Sequence, residues 1–364
     1  MTHNDLAGPA APSGAGPARA DRDHAGQDAP RASAGPLCTT YDAALLDLDG
    51  VVYLGGKAIR GAAEALGEAA RAGMRLAYVT NNASRSPSAI AHQLTSLGVT
   101  AGPADIVTSA QAAARLLAER LPAGAPVLVA GGMGLRIALR ERGLRPVSVA
   151  AERPLAVVQG FAADMSYGLL TEAALAIRAG ARYVASNADA TLPSPRGLQP
   201  GNGSLIALLA TATGQRPEVA GKPEAPLHAE AVQRTGATRP LVVGDRLDTD
   251  IEGAVRAATD SLLVLTGVTG PAEALLAPPG QRPTYLAAGL SGLLSAHPGV
   301  TAAGGGFSCG GWTARRDGDS GKLSLSGSGD PADGLRALCG AAWSGPALSA
   351  EQAADAVQGL DLPT

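Results

Sequence analysis

Short apolar runs alternate with amphipathic stretches along most of the chain, beginning near Tyr41. Runs with the length and composition of buried strands lie at 43–48, 74–80, 127–130, 155–161, 182–186, 240–244 and 261–265. Helical patterns lie between them, for example at 60–72, 86–97, 109–120, 171–179, 203–213, 224–235 and 249–258. This alternation predicts an α/β fold, a doubly wound parallel sheet with helices on both faces and right-handed crossovers.

The two ends of the chain have different patterns. Residues 1–36 are mostly Ala, Gly, Pro, Asp and Arg without periodicity, which predicts a disordered N-terminal tail. After about residue 297, the segment GGGFSCGGWTARRDGDSGKLSLSG predicts two strands around a polar turn, and PADGLRALCGAAW and SAEQAADAVQGL predict two helices. Residues 297–364 would therefore form a small α+β module, with its own core around Trp312 and Trp343.

Composition narrows the functional classes. The net charge of -3 gives no electrostatic reason to bind nucleic acid or an anionic membrane. No apolar run approaches the ~20 residues of a membrane-spanning helix, and the N-terminus lacks the pattern of a signal peptide. The cysteines, Cys38, Cys309 and Cys339, have no metal-ligand spacing, and their odd number suits reduced thiols. We therefore expect a cytoplasmic protein.

Polar residues stand at four predicted strand ends, where open α/β sheets bind their ligands. The first set is Asp47-Leu48-Asp49-Gly50. Asp47 and Asp49 would point to the same side, and two partly desolvated carboxylates repel unless a divalent cation or a positive group lies near them. Gly50 allows a sharp turn and a close backbone approach to a ligand. A capped strand end followed by a turn also explains this set.

The second and third sets offer groups that bind anions. Thr80, Asn81 and Asn82 supply hydroxyl, amide and backbone N–H donors, although an Asn-rich turn explains them too. Lys222, in the segment GKP, could place a positive charge against phosphate oxygens or the Asp47 carboxylate. A solvated lysine at a helix N-terminus is the alternative, and the spacing of a P-loop is absent.

The fourth set, GDRLDTDI at 244–251, follows a strongly apolar strand. It adds the carboxylates of Asp245, Asp248 and Asp250. Hard oxygen ligands around a small site suit magnesium, which binds at about 2.0–2.1 Å and keeps several waters. Capping of the next helix explains Asp248 or Asp250, but it does not explain Asp245.

Taken in order, DLDG, VTNN, GKP and GDRLDTDI resemble the four motifs of haloacid dehalogenase (HAD) superfamily phosphatases. Spacing and longer phrases resemble subclass IIA, which includes NagD-like nucleotidases and phosphoglycolate, pyridoxal-phosphate and glycerol-phosphate phosphatases. The resemblance covers about 41–295. It implies a Rossmann-like catalytic core at 37–121 and 218–296, with an inserted αβ cap domain of the C2 type at 122–217. Some glycerol-3-phosphate phosphatases of this subgroup carry an addition comparable to the C-terminal module.

The resemblance also implies roles for the acidic residues. Asp47 matches the nucleophile that forms an aspartyl-phosphate, and Asp49 matches the general acid that later activates water. The magnesium ligands would be the Asp47 and Asp245 carboxylates and the Asp49 backbone carbonyl. Asp250 would orient the water shell of the metal.

The remaining matched residues would bind the substrate. Those around the phosphoryl group would be Gly50, Thr80, Asn81, Asn82 and Lys222, of which Lys222 is also a catalytic candidate. In the cap, GFAADMSY and SNAD match phrases of the family, with Ala188 where the family usually has Pro. Tyr167, Asn187 and Asp189 are therefore candidates for contacts to the leaving group. A helix cap at Tyr167 and a turn held by Asp189 are the alternatives.

These features predict a magnesium-dependent phosphatase of small phosphate monoesters, with glycerol 3-phosphate as the first choice and 2-phosphoglycolate or a nucleoside monophosphate as alternatives. A non-catalytic protein that binds a phosphate ligand is the competing class, and the complete set of carboxylates argues against it. Phosphoryl transfer to an alcohol other than water would use the same intermediate and stays open. The expected partner is a small phosphorylated metabolite, without nucleic acid or membrane. Whether the protein forms a homodimer stays open. The C-terminal module could bind an effector, mediate dimerisation or only add packing against the core.

Overall fold

The computed structural model describes residues 28–194 and 196–362. Residues 1–27, which carry most of the predicted disordered tail, lie outside the described part. Just after its start, the described chain is attached to the core. The Arg31 N–H donates to the Thr284 carbonyl at 2.9 Å, and its guanidinium pairs with Asp260 at 3.0 Å. The predicted disordered tail was therefore too long at its C-terminal end. This part of the chain is held by polar contacts, which give no apolar pattern that the sequence could show.

Strands and helices alternate along the described chain, as the apolar runs predict. The strands are β1 Ala43–Leu46, β2 Tyr53–Leu54, β3 Lys57–Ala58, β4 Arg75–Thr80, β5 Ile106–Thr108, β6 Pro126–Ala130, β7 Arg145–Val147, β8 Ala156–Gln159, β9 Arg182–Ala185, β10 Thr191–Ser194, β11 Gly197–Pro200, β12 Glu218–Val219, β13 Pro240–Gly244, β14 Asp260–Val264, β15 Tyr285–Ala287, β16 Thr301–Ala303, β17 Gly306–Cys309, β18 Trp312–Arg316 and β19 Leu323–Gly327. The helices are α1 Leu37–Thr40, α2 Ala62–Arg71, α3 Pro87–Ser96, α4 Ser109–Ala118, α5 Met133–Glu141, α6 Tyr167–Arg178, α7 Asn202–Thr213, α8 Ala225–Thr235, α9 Glu252–Arg256, α10 Pro271–Leu275, α11 Pro331–Trp343 and α12 Ala350–Val357. None of these helices is long and apolar enough to cross a lipid bilayer.

The main sheet has six parallel strands in the order β15-β14-β13-β1-β4-β5. Successive side chains of the central strand enter different apolar clusters. Leu45 packs in a cluster with residues of α4 and α8, and Leu46 packs in a cluster with residues of α2 and α3. Helices therefore cover both faces of the sheet, which confirms the predicted doubly wound fold.

The segment between α4 and α8 forms a second parallel sheet, in the order β12-β9-β8-β6-β7. Helices α6 and α7 pack on it, and β10 and β11 form an antiparallel hairpin. One buried cluster joins this sheet to the main one, because it includes Val127 and Leu139 together with Ala113 and Val242. The domain limits at 121 and 218 stay a prediction, since packing is continuous across them.

The C-terminal module has an antiparallel sheet of four strands, β16-β17-β18-β19, covered by α11 and α12. Both predicted helices are present. The strand prediction was too simple, because tight turns at Gly304–Gly305 and Gly310–Gly311 divide the segment further. The expectation of a separate core was also wrong. Trp343 is buried in a cluster that includes Ile251 and Leu263 of the main domain.

Candidate active site

Three neighbouring strands bring the sequence motifs to one edge of the main sheet. Strand β1 lies between β13 and β4. Asp47 follows β1 directly, Asp245 follows β13, and Thr80 is the last residue of β4. Parallel strands end at the same edge, so these residues line the crevice in which open α/β sheets bind ligands.

A group of three carboxylates occupies this crevice. Asp47, Asp245 and Asp250 each offer an oxygen atom, and these oxygens lie within 4.8 Å of one another. Asp245 is fully buried, and its Oδ1 has no hydrogen-bond partner. A buried carboxylate oxygen without a donor is costly unless a cation binds it. An all-oxygen set of this kind fits magnesium, which Asp47 and Asp245 would hold with Asp250 beside them.

Lys222 lies between two of these carboxylates. Its Nζ donates to Asp47, to Asp250 Oδ1 at 2.7 Å and to the Val79 carbonyl at 3.1 Å. Burial lowers the pKa of Lys222, but the Asp250 and Asp47 carboxylates outweigh burial and raise that pKa above its usual value. The lysine therefore stays protonated and presents a fixed positive charge beside Asp47.

The surroundings of Asp47 and Asp245 raise the pKa of both carboxyl groups. Burial raises the pKa of Asp47, the Lys222 ammonium opposes the rise, and Asp250 and Asp245 add to it. Burial, followed by the charge of Asp250, raises the pKa of Asp245 to about 6, against a hydrogen bond from the Val268 N–H. A cation bound between Asp47 and Asp245 would favour the ionised form of both groups and so oppose these rises.

Two glycines let the backbone approach Asp245. Gly50 has a φ of +87°, and a Cβ atom there would lie 2.3 Å from Asp245 Oδ2. At Gly267 a Cβ atom would lie 2.0 Å from the same oxygen. A side chain at either position would collide with the carboxylate. Gly50 was predicted from the DLDG motif, whereas Gly267 follows β14 and was not recognised.

Asp49, the candidate acid, lies at the mouth of the crevice with an exposed side chain. Partial burial raises the pKa of its carboxyl group, and a hydrogen bond from the Gly55 backbone opposes the rise. Tyr53 lies nearby, and burial together with the charges of Asp49 and Asp47 raises the pKa of its hydroxyl to about 12. Tyr53 therefore adds a neutral hydroxyl that the sequence analysis did not predict.

The VTNN segment forms the Asn-rich turn that was kept as an alternative. The Asn82 N–H donates to Thr80 Oγ1 at 3.1 Å, and Asn82 Oδ1 accepts from the Ser84 N–H at 2.9 Å. The Thr80 hydroxyl still has its own proton to donate. The predicted phosphate contacts of Thr80, Asn81 and Asn82 stay a prediction, although the turn already uses part of their hydrogen-bonding capacity.

The side chain of Asn81 joins three loops. Its Oδ1 accepts from the Lys222 N–H at 2.8 Å, and its Nδ2 donates to the Lys222 carbonyl and to the Asp189 carboxylate, both at 3.2 Å. The Asn81 carbonyl accepts from Asn187 Nδ2 at 2.8 Å. These contacts attach the SNAD loop and the lysine loop to the end of β4.

The three cap candidates lie in different environments. Asn187 and Asp189 are brought to the crevice through Asn81, and burial raises the pKa of Asp189. Tyr167 is the first residue of α6 and is 83% exposed. The side chain of Ser166, rather than that of Tyr167, caps α6 by accepting from the Leu169 N–H.

Comparison with known proteins identifies the family. Residues 44–145 match a family model described as haloacid dehalogenase-like hydrolase, and residues 219–293 match a second model described as HAD-hydrolase-like. The chain is 51% identical to the D-glycerol 3-phosphate phosphatase of Mycobacterium tuberculosis over 250 residues, which cover 69% of this chain and 70% of the relative. The chain belongs to the haloacid dehalogenase-like hydrolase family. The resemblance inferred from the four motifs is thereby confirmed.

Other relatives of this haloacid dehalogenase-like hydrolase are also phosphatases. The 5'-nucleotidase YutF of Bacillus subtilis is 38% identical over 63% of this chain and 89% of its own length. A crystal structure of the glycerol phosphate phosphatase from Mycobacterium tuberculosis in complex with magnesium has a TM-score of 0.79 and 43% identity, and covers 90% of this chain and 99% of that one. These relatives are thus named as phosphoric monoester hydrolases, and the matched crystal structure contains magnesium.

The C-terminal module gives a separate match. Residues 309–362 match a model described as GCN5-related N-acetyltransferase like domain. The matched segment contains β18, β19, α11 and α12. Asp330 caps α11 and Asp333 lies in its first turn, so this end of the helix is acidic. The module is therefore similar to this domain in sequence, but the acidic end of α11 does not favour an anionic ligand.

Neutralising Asp245 should stabilise the metal-free haloacid dehalogenase-like hydrolase. The pKa of the Asp245 carboxyl group rises from its ordinary value of 3.8 to about 6 in the folded protein. The folded protein is therefore less stable above pH 6 than below pH 3.8, because the ionised carboxylate is disfavoured in the fold, and the loss occurs between these two values. Asp245→Asn should therefore raise the free energy of unfolding near neutral pH by up to about 3 kcal/mol, and the gain should disappear near pH 4. Magnesium should no longer raise the melting temperature of the variant. Differential scanning calorimetry with and without magnesium measures both effects, and an unchanged magnesium response would exclude Asp245 as a ligand.

Proposed function

We propose that this enzyme hydrolyses glycerol 3-phosphate through an aspartyl-phosphate on Asp47. The observation that carries the proposal is the contact between Asp47 and the Lys222 ammonium, within a group that contains Asp245 and Asp250. This arrangement would let a nucleophilic carboxylate, a fixed cation and the ligands of a metal ion act at one point. The similarity to a named D-glycerol 3-phosphate phosphatase supports the choice of substrate.

Asp47 would act as the nucleophile. Lys222 fixes the Asp47 carboxylate and, once a phosphate ester binds, can donate to its non-bridging oxygens. Magnesium, when bound, supplies the positive charge that lets a carboxylate lie beside a phosphate dianion. The Thr80 hydroxyl would donate to the same phosphoryl group from the end of the neighbouring strand. The carboxylate oxygen then forms the bond to phosphorus as the bond to the leaving oxygen breaks.

Asp49 would transfer the proton in both steps. Its raised pKa keeps a larger fraction protonated near neutral pH, which suits an acid that protonates the leaving alkoxide. The resulting carboxylate can then take a proton from the water that attacks the aspartyl-phosphate. The exposed position of Asp49 gives water access to this second step.

The cap would select the leaving group. We assign residues 122–217 to this domain and 37–121 with 218–296 to the catalytic core. The Asp189 carboxylate, held by Asn81 at the crevice, can accept hydrogen bonds from the hydroxyl groups of glycerol. The same carboxylate would repel the negative carboxylate of 2-phosphoglycolate.

The cysteines support a location in the cytoplasm. Cys38, Cys309 and Cys339 are buried and form no disulfide, as expected in a reducing compartment.

A substrate comparison tests this function. Purified enzyme with magnesium should release phosphate from glycerol 3-phosphate with a higher kcat/KM than from 2-phosphoglycolate or a nucleoside monophosphate. Asp47→Asn should lower kcat for every ester by more than about 1,000-fold, because no nucleophile remains. Equal phosphate release by parent and variant would refute the role of Asp47. A preference for the nucleoside monophosphate would instead indicate a 5'-nucleotidase, as YutF is named.

The leaving group separates the two aspartate roles. Asp49→Asn should lose about 10²–10⁴-fold in kcat/KM with glycerol 3-phosphate, since glycerol leaves as an alkoxide that needs a proton. With 4-nitrophenyl phosphate the phenolate leaves unprotonated, and the same variant should release about one equivalent of nitrophenolate and then stall. Stopped-flow absorbance measures this burst. Asp47→Asn is the control and should give none, whereas a full-speed steady state in Asp49→Asn would contradict the assigned role.

A further inference from the structure

The loop after β14 holds the metal-site residue Asp245. The Val268 N–H donates to Asp245 Oδ2 at 2.7 Å, and the Thr269 N–H donates to the Asp245 carbonyl at 3.1 Å. The Thr266 hydroxyl donates to the Gly50 carbonyl at 2.6 Å, which links the loop to the DLDG turn. The position of residues 266–270 therefore determines how Asp245 is oriented.

Helix α10 is a second support of this loop. The side chain of Val268 is 70% exposed, so it does not anchor the loop by packing. At its far end the Gly270 N–H donates to Glu273 Oε2, in the first turn of α10, at 3.1 Å. Ala274 and Leu275 of the same helix are buried. A displacement of α10 would therefore move the N–H groups that hold Asp245.

The C-terminal module binds α10 directly. Trp343, the last residue of α11, donates its indole N–H to the Ala274 carbonyl at 3.1 Å. Its ring is buried, and the Arg282 guanidinium lies 5.5 Å from the ring centroid. Ala274 and Leu275 share one buried cluster with α11 and with Ala353 of α12. The module thus fixes α10 by a specific hydrogen bond and by apolar packing.

The same cluster also supports the other side of the metal site. A π-helical turn at Leu247–Ile251 carries Asp250. Ile251 at its end is fully buried in the cluster that includes Trp343 and Leu338 of the module. Ile251 and helix α10 therefore share one apolar cluster with the module.

We propose that the C-terminal module sets the metal affinity of the active site, with Trp343 as the positioning residue that transmits its effect through α10. The side-chain hydrogen bond of Trp343 goes to Ala274 and not to Asp47, Asp245 or Asp250. It acts on the loop whose Val268 N–H orients Asp245. The proposal rests on the proposed role of Asp245 as a magnesium ligand.

Two tryptophans of the module provide a matched test. Trp343→Phe keeps the ring and removes the hydrogen bond to Ala274. Trp312→Phe removes an equivalent bond to the Asp330 carbonyl, at 2.9 Å, which stays inside the module. Isothermal titration with magnesium alone should show about threefold to tenfold weaker binding in Trp343→Phe, less than the 10–100-fold cost typical of losing a direct partner of a metal ligand. Trp312→Phe should bind magnesium like the parent.

Kinetics distinguish positioning from general damage. In Trp343→Phe the magnesium concentration that gives half of the maximal rate should rise by the same factor. The KM for the phosphate ester at saturating magnesium should stay within about twofold of the parent value. Arg282→Met, which removes the charge over the Trp343 ring, should shift magnesium binding in the same direction by a smaller factor. If Trp343→Phe does not fold, the magnesium affinity of Arg282→Met tests the role of Trp343 in its place.

The outcomes separate this inference from the function on which it depends. Parental magnesium affinity in both Trp343→Phe and Arg282→Met would overturn the inference, and so would an equal loss in Trp312→Phe. Asp245→Asn is titrated alongside. If that variant binds magnesium as well as the parent, the assigned metal site fails instead.

Discussion

Three carboxylates and one ammonium group share a crevice that is largely closed to water, and their charges do not balance. Lys222 compensates one of the negative charges of Asp47, Asp245 and Asp250, which leaves two. A divalent cation restores neutrality, and the unpaired oxygen of Asp245 is the atom that most needs it. The glycines at 50 and 267 leave room for the Asp245 carboxylate, and Lys222 lies beside Asp47. The adjacent strand ends bring these groups close together.

Two segments outside the four motifs, the Asp189 loop and the C-terminal module, are also connected to the residues that carry these charges. Asn81 attaches the Asp189 loop to the backbone of Lys222, so the loop that would select the leaving group and the lysine that would bind the phosphate share one amide. Trp343 of the module is hydrogen-bonded to α10, the helix that follows the Asp245 loop. Under the two proposals, substrate selection would depend on the Asp189 loop and metal binding on the module, while the catalytic carboxylates stay the same.

The strand-end rule located Asp47, Thr80 and Asp245 from sequence, because parallel strands deliver their carboxyl ends to one edge whatever the details of packing. Lys222 follows β12 of the second sheet, so its place beside Asp47 came only from the resemblance of the four motifs. The links between those residues could not be predicted in this way. Asn81 binds residues 108 and 141 positions away, and an amide gives no periodic signal of its partners. An apolar pattern also shows that Ile251 is buried without showing what covers it. For that reason the module was expected to have its own core, although it shares one with the main domain.

The central claim is that one cation occupies the space between Asp47 and Asp245. Diffraction from crystals soaked in manganese, which favours the same carboxylate ligands and scatters anomalously, tests it most directly. We predict a single strong anomalous peak within bonding distance of both carboxylates, with Asp250 outside that distance and Lys222 still paired with it. A crevice without a peak at saturating manganese, or a peak bound only by other residues, would contradict the account.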